Sequence, residues 1–198
     1  MASKLGIYTA GGLARAIASH FDYVYETDCF IDAPRSPGEQ IRGVPVTLQP
    51  DLRIDRNYVI GCGEPDRRRV IAEANNVRWV TLVHKNSNVS KYACIGEGGI
   101  ICPGVGIDPD VKIGNHVYVD YNAVIGHDAE IGDYTVIGPL VLVAGGCKVG
   151  EAAYIGTGAK IVKKAKIGEE AVIGAGAVVL KDVPPRTTWA GVPARQIR

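Results

Sequence analysis

The chain has 198 residues, 46% hydrophobic and 22% charged, with a formal net charge of +1. This globular mixture excludes a disordered chain and a uniformly basic nucleic-acid binder. No run approaches 18 apolar residues, the first twenty lack a leader pattern, and five Cys form no Cys-x-x-Cys pair, so the expectation is a cytoplasmic chain with reduced thiols and no membrane insertion.

In chain order, residues 4–9 read as a strand, 11–20 as a helix and 29–32 as a second strand. Residues 32–45 form a turn-rich passage with Pro34, Pro37, Gly38 and Gly43. A third strand is expected over 57–62, then a helix over 65–75 carrying Arg67, Arg68 and Arg69, and a lead-in over 78–83. Strand, glycines, helix, strand is the mononucleotide-binding half of a Rossmann-like unit. The loop Thr9-Ala10-Gly11-Gly12-Leu13-Ala14 lacks a complete Gly-x-Gly-x-x-Gly, so a small α/β cap on the following segment is the alternative.

From Val83 every sixth residue up to Val179 is Ile or Val, seventeen in succession. Four residues after each of the first sixteen comes a small residue, such as Ala123 or Ala129, and Gly follows the aliphatic in nine of those hexads. Period six fits neither a helix nor an ordinary strand for long. It fits a triangular prism with one hexapeptide per side and eighteen residues per turn. In that reading the β-branched residue points to the axis, the small residue fits the corner, and Gly supplies the turn dihedrals. The two parts divide the chain into residues 1–82 and 83–198.

The hexads resemble the left-handed parallel β-helix of hexapeptide-repeat acyltransferases, which are typically homotrimers with sites between neighbouring prisms. Together with Ala10-Gly11-Gly12, Phe30-Ile31-Asp32, Ile60-Gly61, Ile125-Gly126-His127-Asp128 and Ala190-Gly191-Val192-Pro193-Ala194, they are similar to one family along nearly the whole chain. It comprises the sugar O- and N-acyltransferases of the sialic-acid O-acetyltransferase and nucleotide-linked 4-amino-sugar N-acetyltransferase type. The resemblance implies an acetyl-CoA-dependent N-acetyltransferase acting on a nucleotide-linked amino sugar in surface-glycan biosynthesis, with no metal. A sialic-acid-type O-acetyltransferase and a non-catalytic nucleotide-sugar-binding protein are the alternatives.

The resemblance also implies residue roles. His127 falls on the general base and Asp128 on its acidic neighbour. Coenzyme A is expected at Gly145, Ala175, Gly176, Lys181 and Arg195, with the Gly145 N–H facing the thioester carbonyl. Ala10, Gly11, Gly12, Asp32 and Gly61 are the nucleotide-sugar contacts. The chain departs from the family at Thr9, a loop Gly elsewhere, and at Leu13 and Val136, both His elsewhere.

Acetyl transfer needs a base for the incoming group and a donor for the oxyanion. Of four His, His20 closes a helix, His84 opens the first coil, and His116 lies near a corner as a binding residue at most. His127, two after Ile125, is aimed outward from a mid-length coil. Zinc carbonic anhydrases also use hexapeptide prisms, but they need a His pair five apart, and position 132 is Gly. Cys94, Cys102 and Cys147 read as small or inward-facing hexad residues. Residues 94–147 hold one basic and seven acidic residues, whereas 148–198 hold nine basic and four acidic, a basic end suited to coenzyme A phosphates.

Overall fold

The computed structural model describes residues 3–32, 39–50 and 55–198. Strands Ser3–Tyr8 (β1), Tyr25–Ile31 (β2), Gln40–Ile41 (β3), Val44–Thr47 (β4) and Asn57–Ile60 (β5) form one sheet in the order β3-β4-β2-β1-β5. All pairs are parallel except β3 with β4. Helix Gly12–His20 (α1) joins β1 to β2, and Pro65–Ala74 (α2) follows β5. Leu5, Ile7, Val59 and Ile60 have no exposed surface, as expected of central parallel strands covered on both faces.

Two elements differ from the sequence reading. Strand β2 starts at Tyr25 rather than Cys29, because its polar first half pairs with Ser3 to Leu5. The passage expected to be turn alone carries the β3–β4 hairpin, closed by Arg42 and Gly43 at φ 53° and 80°. Positive φ at both central positions matches the right-handed twist of the strands. Pro34, Pro37 and Gly38 lie outside the described residues.

From Leu82 the chain winds into a parallel β-helix of two-residue strands. Strands eighteen residues apart pair in register, as Gly106–Ile107 with Val124–Ile125 and Val124–Ile125 with Leu142–Val143. Three sheets result, one per face. The outward residues are Ile100, Tyr118, Val136, Tyr154 and Val172 on the Tyr118 face, and Val124, Leu142, Lys160 and Val178 on the Val124 face. The Lys148 face presents Cys94, Lys112, Glu130, Lys148 and Lys166. Cys94 is therefore exposed, against expectation, while Cys102 and Cys147 are buried.

Each hexad buries two residues, the sixth-place aliphatic from Ile101 to Val179 and the small residue from Val105 to Ala177. Val83, at the open first end, stays 43% exposed. The turn residue is not the glycine after the aliphatic. Positive φ falls two places later, at every sixth residue from Gly98 through Asp128 to Gly176. The glycine after the aliphatic answers a different demand: a Cβ on Gly132 would lie 2.5 Å from the Glu151 nitrogen, and one on Gly168 2.3 Å from that of Pro185.

The N-terminal unit covers the first part of the Tyr118 face and grips both corners beside it. At one, Arg68, with no exposed surface, donates from Nε to the His116 carbonyl at 2.7 Å and from Nη1 to the Ile60 and Cys62 carbonyls at 2.8 Å. Arg69 pairs there with Glu170 at 3.1 Å and Glu151 at 3.6 Å. At the other, the His20 ring hydrogen-bonds the Tyr121 hydroxyl, and the Lys85 N–H donates to the Tyr23 hydroxyl at 2.9 Å. His116 is buried between Trp79 (ring centroids 5.0 Å apart) and Tyr134 (5.7 Å, stacked).

Burial, reinforced by the Arg68 cation, lowers the His116 pKa to about 4. A His held neutral in the fold but free to protonate when unfolded makes the unfolded state bind more protons between about pH 4 and the free value of about 6.5. Stability is therefore unaffected above that window and falls as the pH drops through it, by an amount on the order of 3 kcal/mol. Thermal unfolding followed by circular dichroism is expected to show this fall, and His116→Asn, neutral throughout, is expected to reduce it.

Candidate active site

Ile125, held inside the prism, fixes the start of the next corner, so His127 and Asp128 emerge together from the edge between the Val124 and Lys148 faces. Asp128 takes the left-handed conformation at φ 59°, which turns its carboxylate back toward its neighbour. His127 Nδ1 lies 2.7 Å from Asp128 Oδ2. A carboxylate can only accept, so Nδ1 carries the hydrogen in the neutral tautomer, which leaves the Nε2 lone pair as the basic site. Both side chains are about two-thirds exposed, and the backbone beneath is held by the adjacent coils. The Asp128 N–H donates to the Pro109 carbonyl at 3.2 Å and the Gly146 N–H to that of His127 at 2.8 Å.

Gly145 lies one coil further along the same edge. A Cβ there would stand 2.7 Å from His127 Nε2, so the imidazole rests on a surface only glycine leaves open. The Ala144 and Gly146 N–H groups donate to Ile161 and His127 carbonyls, whereas that of Gly145 meets no acceptor among the described residues. A basic nitrogen thus lies beside an uncommitted N–H donor, the pair that acyl transfer requires.

The other expected contacts with coenzyme A divide between edges. Lys181 continues the His127 edge, with its ammonium 5.2 Å from the Trp189 ring centre. Ala175 and Gly176 turn at the Tyr121 corner, across the Val124 face from Gly145, so one chain does not bring them together. Arg195 is exposed in the closing hairpin, where Arg195–Gln196 pairs with Thr188–Ala190. Val136 is buried beneath the N-terminal unit.

In that unit the Ala10 N–H donates to Asp32 Oδ2 at 3.0 Å, which ties the glycine loop to the end of β2. A Cβ on Gly11 would meet nothing, and one on Gly12 only the tip of Arg15, so the loop and the N-terminus of α1 open outward and can cradle an anion. Thr9, where the family has Gly, holds φ 76° and donates from its hydroxyl to the Gly61 carbonyl at 2.7 Å. Leu13 packs against the core.

Gly61 is a packing residue instead of an open contact. A Cβ would strike Ala14 at 2.7 Å and Ile7 at 2.8 Å, and its N–H already donates to Tyr8. A cavity of about 230 Å³ sits beside Asp32, lined among others by Tyr8, Leu48, Arg67, Ile71 and Asn75. The last three were not assigned from sequence, although the spacing of four between Arg67 and Ile71 marks one face of α2, with Asn75 as its C-cap.

Burial pushes the Cys102 thiol up to about 12 and raises that of Cys147, the reverse of what an acyl-carrying thiolate needs. Among the described residues no three His, Cys, Asp or Glu cluster as a metal site, and no helix is long and apolar enough to cross a membrane.

Residues 110–145 and 146–181 match the bacterial transferase hexapeptide (six repeats) model. None of the curated proteins matches the chain by sequence. Among solved structures, the acetyltransferase domain of PglB from Neisseria gonorrhoeae FA1090 is 27% identical, with 98% of this chain and 99% of that one covered and a TM-score of 0.91. A histidine variant of perosamine N-acetyltransferase from Caulobacter crescentus, in complex with CoA and GDP-perosamine, is 27% identical over 99% and 97%, at 0.91. WeeI from Acinetobacter baumannii AYE is 28% identical over 98% and 100%, at 0.87. In its two-part fold and uninterrupted hexads the chain is thus similar, over nearly its whole length, to hexapeptide-repeat N-acetyltransferases.

Proposed function

We propose that the protein is a cytoplasmic, homotrimeric N-acetyltransferase that moves acetyl from acetyl-CoA to the amino group of a nucleotide-linked amino sugar of the 4-amino-4,6-dideoxy type, in surface-glycan biosynthesis. The observation that carries this reading is the His127–Asp128 pair beside the free Gly145 N–H. The nucleotide unit is taken as residues 1–82 and the acyltransferase prism as 83–198.

The amine nitrogen attacks the thioester carbonyl carbon while His127 Nε2 takes its proton. The carbonyl oxygen, becoming an oxyanion, receives the Gly145 hydrogen bond. Collapse breaks the carbon–sulfur bond, the amide forms, and the imidazolium returns its proton to the departing thiolate. Asp128 holds the ring in the required tautomer and stabilises its positive form. No acyl-enzyme is formed.

Placement supports the trimer reading. The N-terminal unit grips the two corners beside the Tyr118 face, and its described contacts do not reach the His127 edge. A sugar held at Asp32 therefore meets a neighbour's base. The exposed Val124, Leu142, Val162 and Leu180 on and beside the Val124 face supply the apolar surface for that neighbour. The same contact would bring Ala175 and Gly176 of one subunit toward Gly145 of another, while Lys163, Lys164 and Lys181 along the edge suit coenzyme A phosphates.

Incubation of acetyl-CoA with a panel of nucleotide amino sugars, read by thiol release and product mass, tests the reaction; no acetylated amine from any of them would refute it. His127→Ala is expected to lower turnover by about 10²–10⁴-fold with little loss of acetyl-CoA affinity, and Asp128→Asn by less.

Gly145→Ala is expected to displace the imidazole and cost roughly 10²-fold in kcat. An unchanged rate would remove Gly145 from the site. Sedimentation is expected to show a trimer, and Leu142→Asp to dissociate it with loss of activity.

A further inference from the structure

The three consecutive arginines of α2 do three different things. Arg68 is buried and bound to three carbonyls, and Arg69 reaches the prism at Glu151 and Glu170. Arg67 alone turns into the cavity beside Asp32. It shares one face of α2 with Ile71, and Ile71 and the C-cap residue Asn75 line the same cavity. Its guanidinium lies 3.9 Å from Asp32 Oδ1, too far for a hydrogen bond, and its side chain is 46% exposed. Its fork of donors is therefore uncommitted among the described residues.

We propose that Arg67 reads the base of the sugar nucleotide and that the base is guanine. The inference rests on the reading that the N-terminal unit binds a sugar nucleotide. The open turn at Gly11 and Gly12 sits at the N-terminus of α1 and suits the diphosphate. Asp32, at the end of β2, suits the ribose hydroxyls. The cavity on the far side of Asp32 then falls to the base, with Leu48, Pro50 and Ile71 as apolar walls.

A guanidinium fork pairs with two adjacent acceptors in one plane. Guanine offers them as O6 and N7. Adenine sets an amino donor beside N7 and would repel the fork. Uracil and thymine flank each carbonyl with an N–H or a carbon and offer no such pair. Asn75 donates one amide hydrogen to the Ile71 carbonyl at 2.7 Å, and Arg67 is the one cationic side chain among the described residues that line the cavity.

The test titrates the full chain with GDP, UDP, dTDP and ADP at one ionic strength by calorimetry, for wild type, Arg67→Ala and Arg67→Lys. GDP is expected to bind about 5- to 150-fold tighter than the others, the range of one good bidentate pair. Arg67→Ala is expected to erase that preference while leaving UDP affinity within about twofold. Arg67→Lys keeps the charge but not the fork, so it is expected to lose most of the preference as well.

Equal or tighter binding of UDP, dTDP or ADP by the wild type would overturn the proposal. So would an equal loss of GDP and UDP affinity in Arg67→Ala, which would make Arg67 a general attractor of phosphate. If none of the four binds, the nucleotide-sugar reading itself fails, whereas binding with another base preference overturns the guanine assignment alone.

Discussion

Backbones eighteen residues apart stack so closely in the prism that a single methyl group at Gly132 or Gly168 would collide with the next coil. That spacing follows from the hydrogen bonds between coils, repeated on all three faces. Everything else adapts to it. The interior is narrow, so Ile, Val and Ala fill most of it, and Trp189, in register with Ile173, enters only at the closing end. Each corner must turn within a few residues, so every sixth residue adopts positive φ, even where it is Asp128, Tyr134 or Leu140.

The proposed catalytic pair draws on this regularity. Asp128 occupies the left-handed position of its corner, and the same turn that every hexad makes brings its carboxylate to His127. The coil above supplies Gly145, whose missing side chain leaves the imidazole its place. Positioning therefore comes from a rigid backbone rather than from a packed shell around the side chains, which explains how a strongly exposed pair keeps its geometry.

Arg68 sets where the N-terminal unit lies. A buried guanidinium without a carboxylate is costly, and three carbonyls from β5, the loop after it and the prism offset part of that cost through Nε and Nη1, while Nη2 has no hydrogen-bond partner among the described residues. The N-terminal unit is thereby fastened over the Tyr118 face, away from the His127 edge. The Rossmann-like order and the prism were legible in the residues, as was the adjacency of His127 and Asp128 on which the proposed mechanism rests. The β3–β4 hairpin was not, because Pro45 and Gly43 mask a strand only four residues long. Gly61 looked like a ligand contact because a glycine required for helix packing cannot be told in sequence from one kept open for a phosphate.

By itself the sequence determined the period, since six-residue spacing of β-branched residues over almost a hundred positions admits one solution, and with it the coil on which each residue sits. It also determined which residue types could do acid–base work. Only the tertiary structure decided which edge each coil position occupies relative to the N-terminal unit, separated Ala175 and Gly176 from Gly145, exposed Cys94, buried His116 and turned Arg67 alone into the cavity. The physical reason is that a local repeat sets the path of the backbone, whereas exposure and partnership depend on contacts between segments far apart in the chain, such as Arg68 with His116, which no local pattern records.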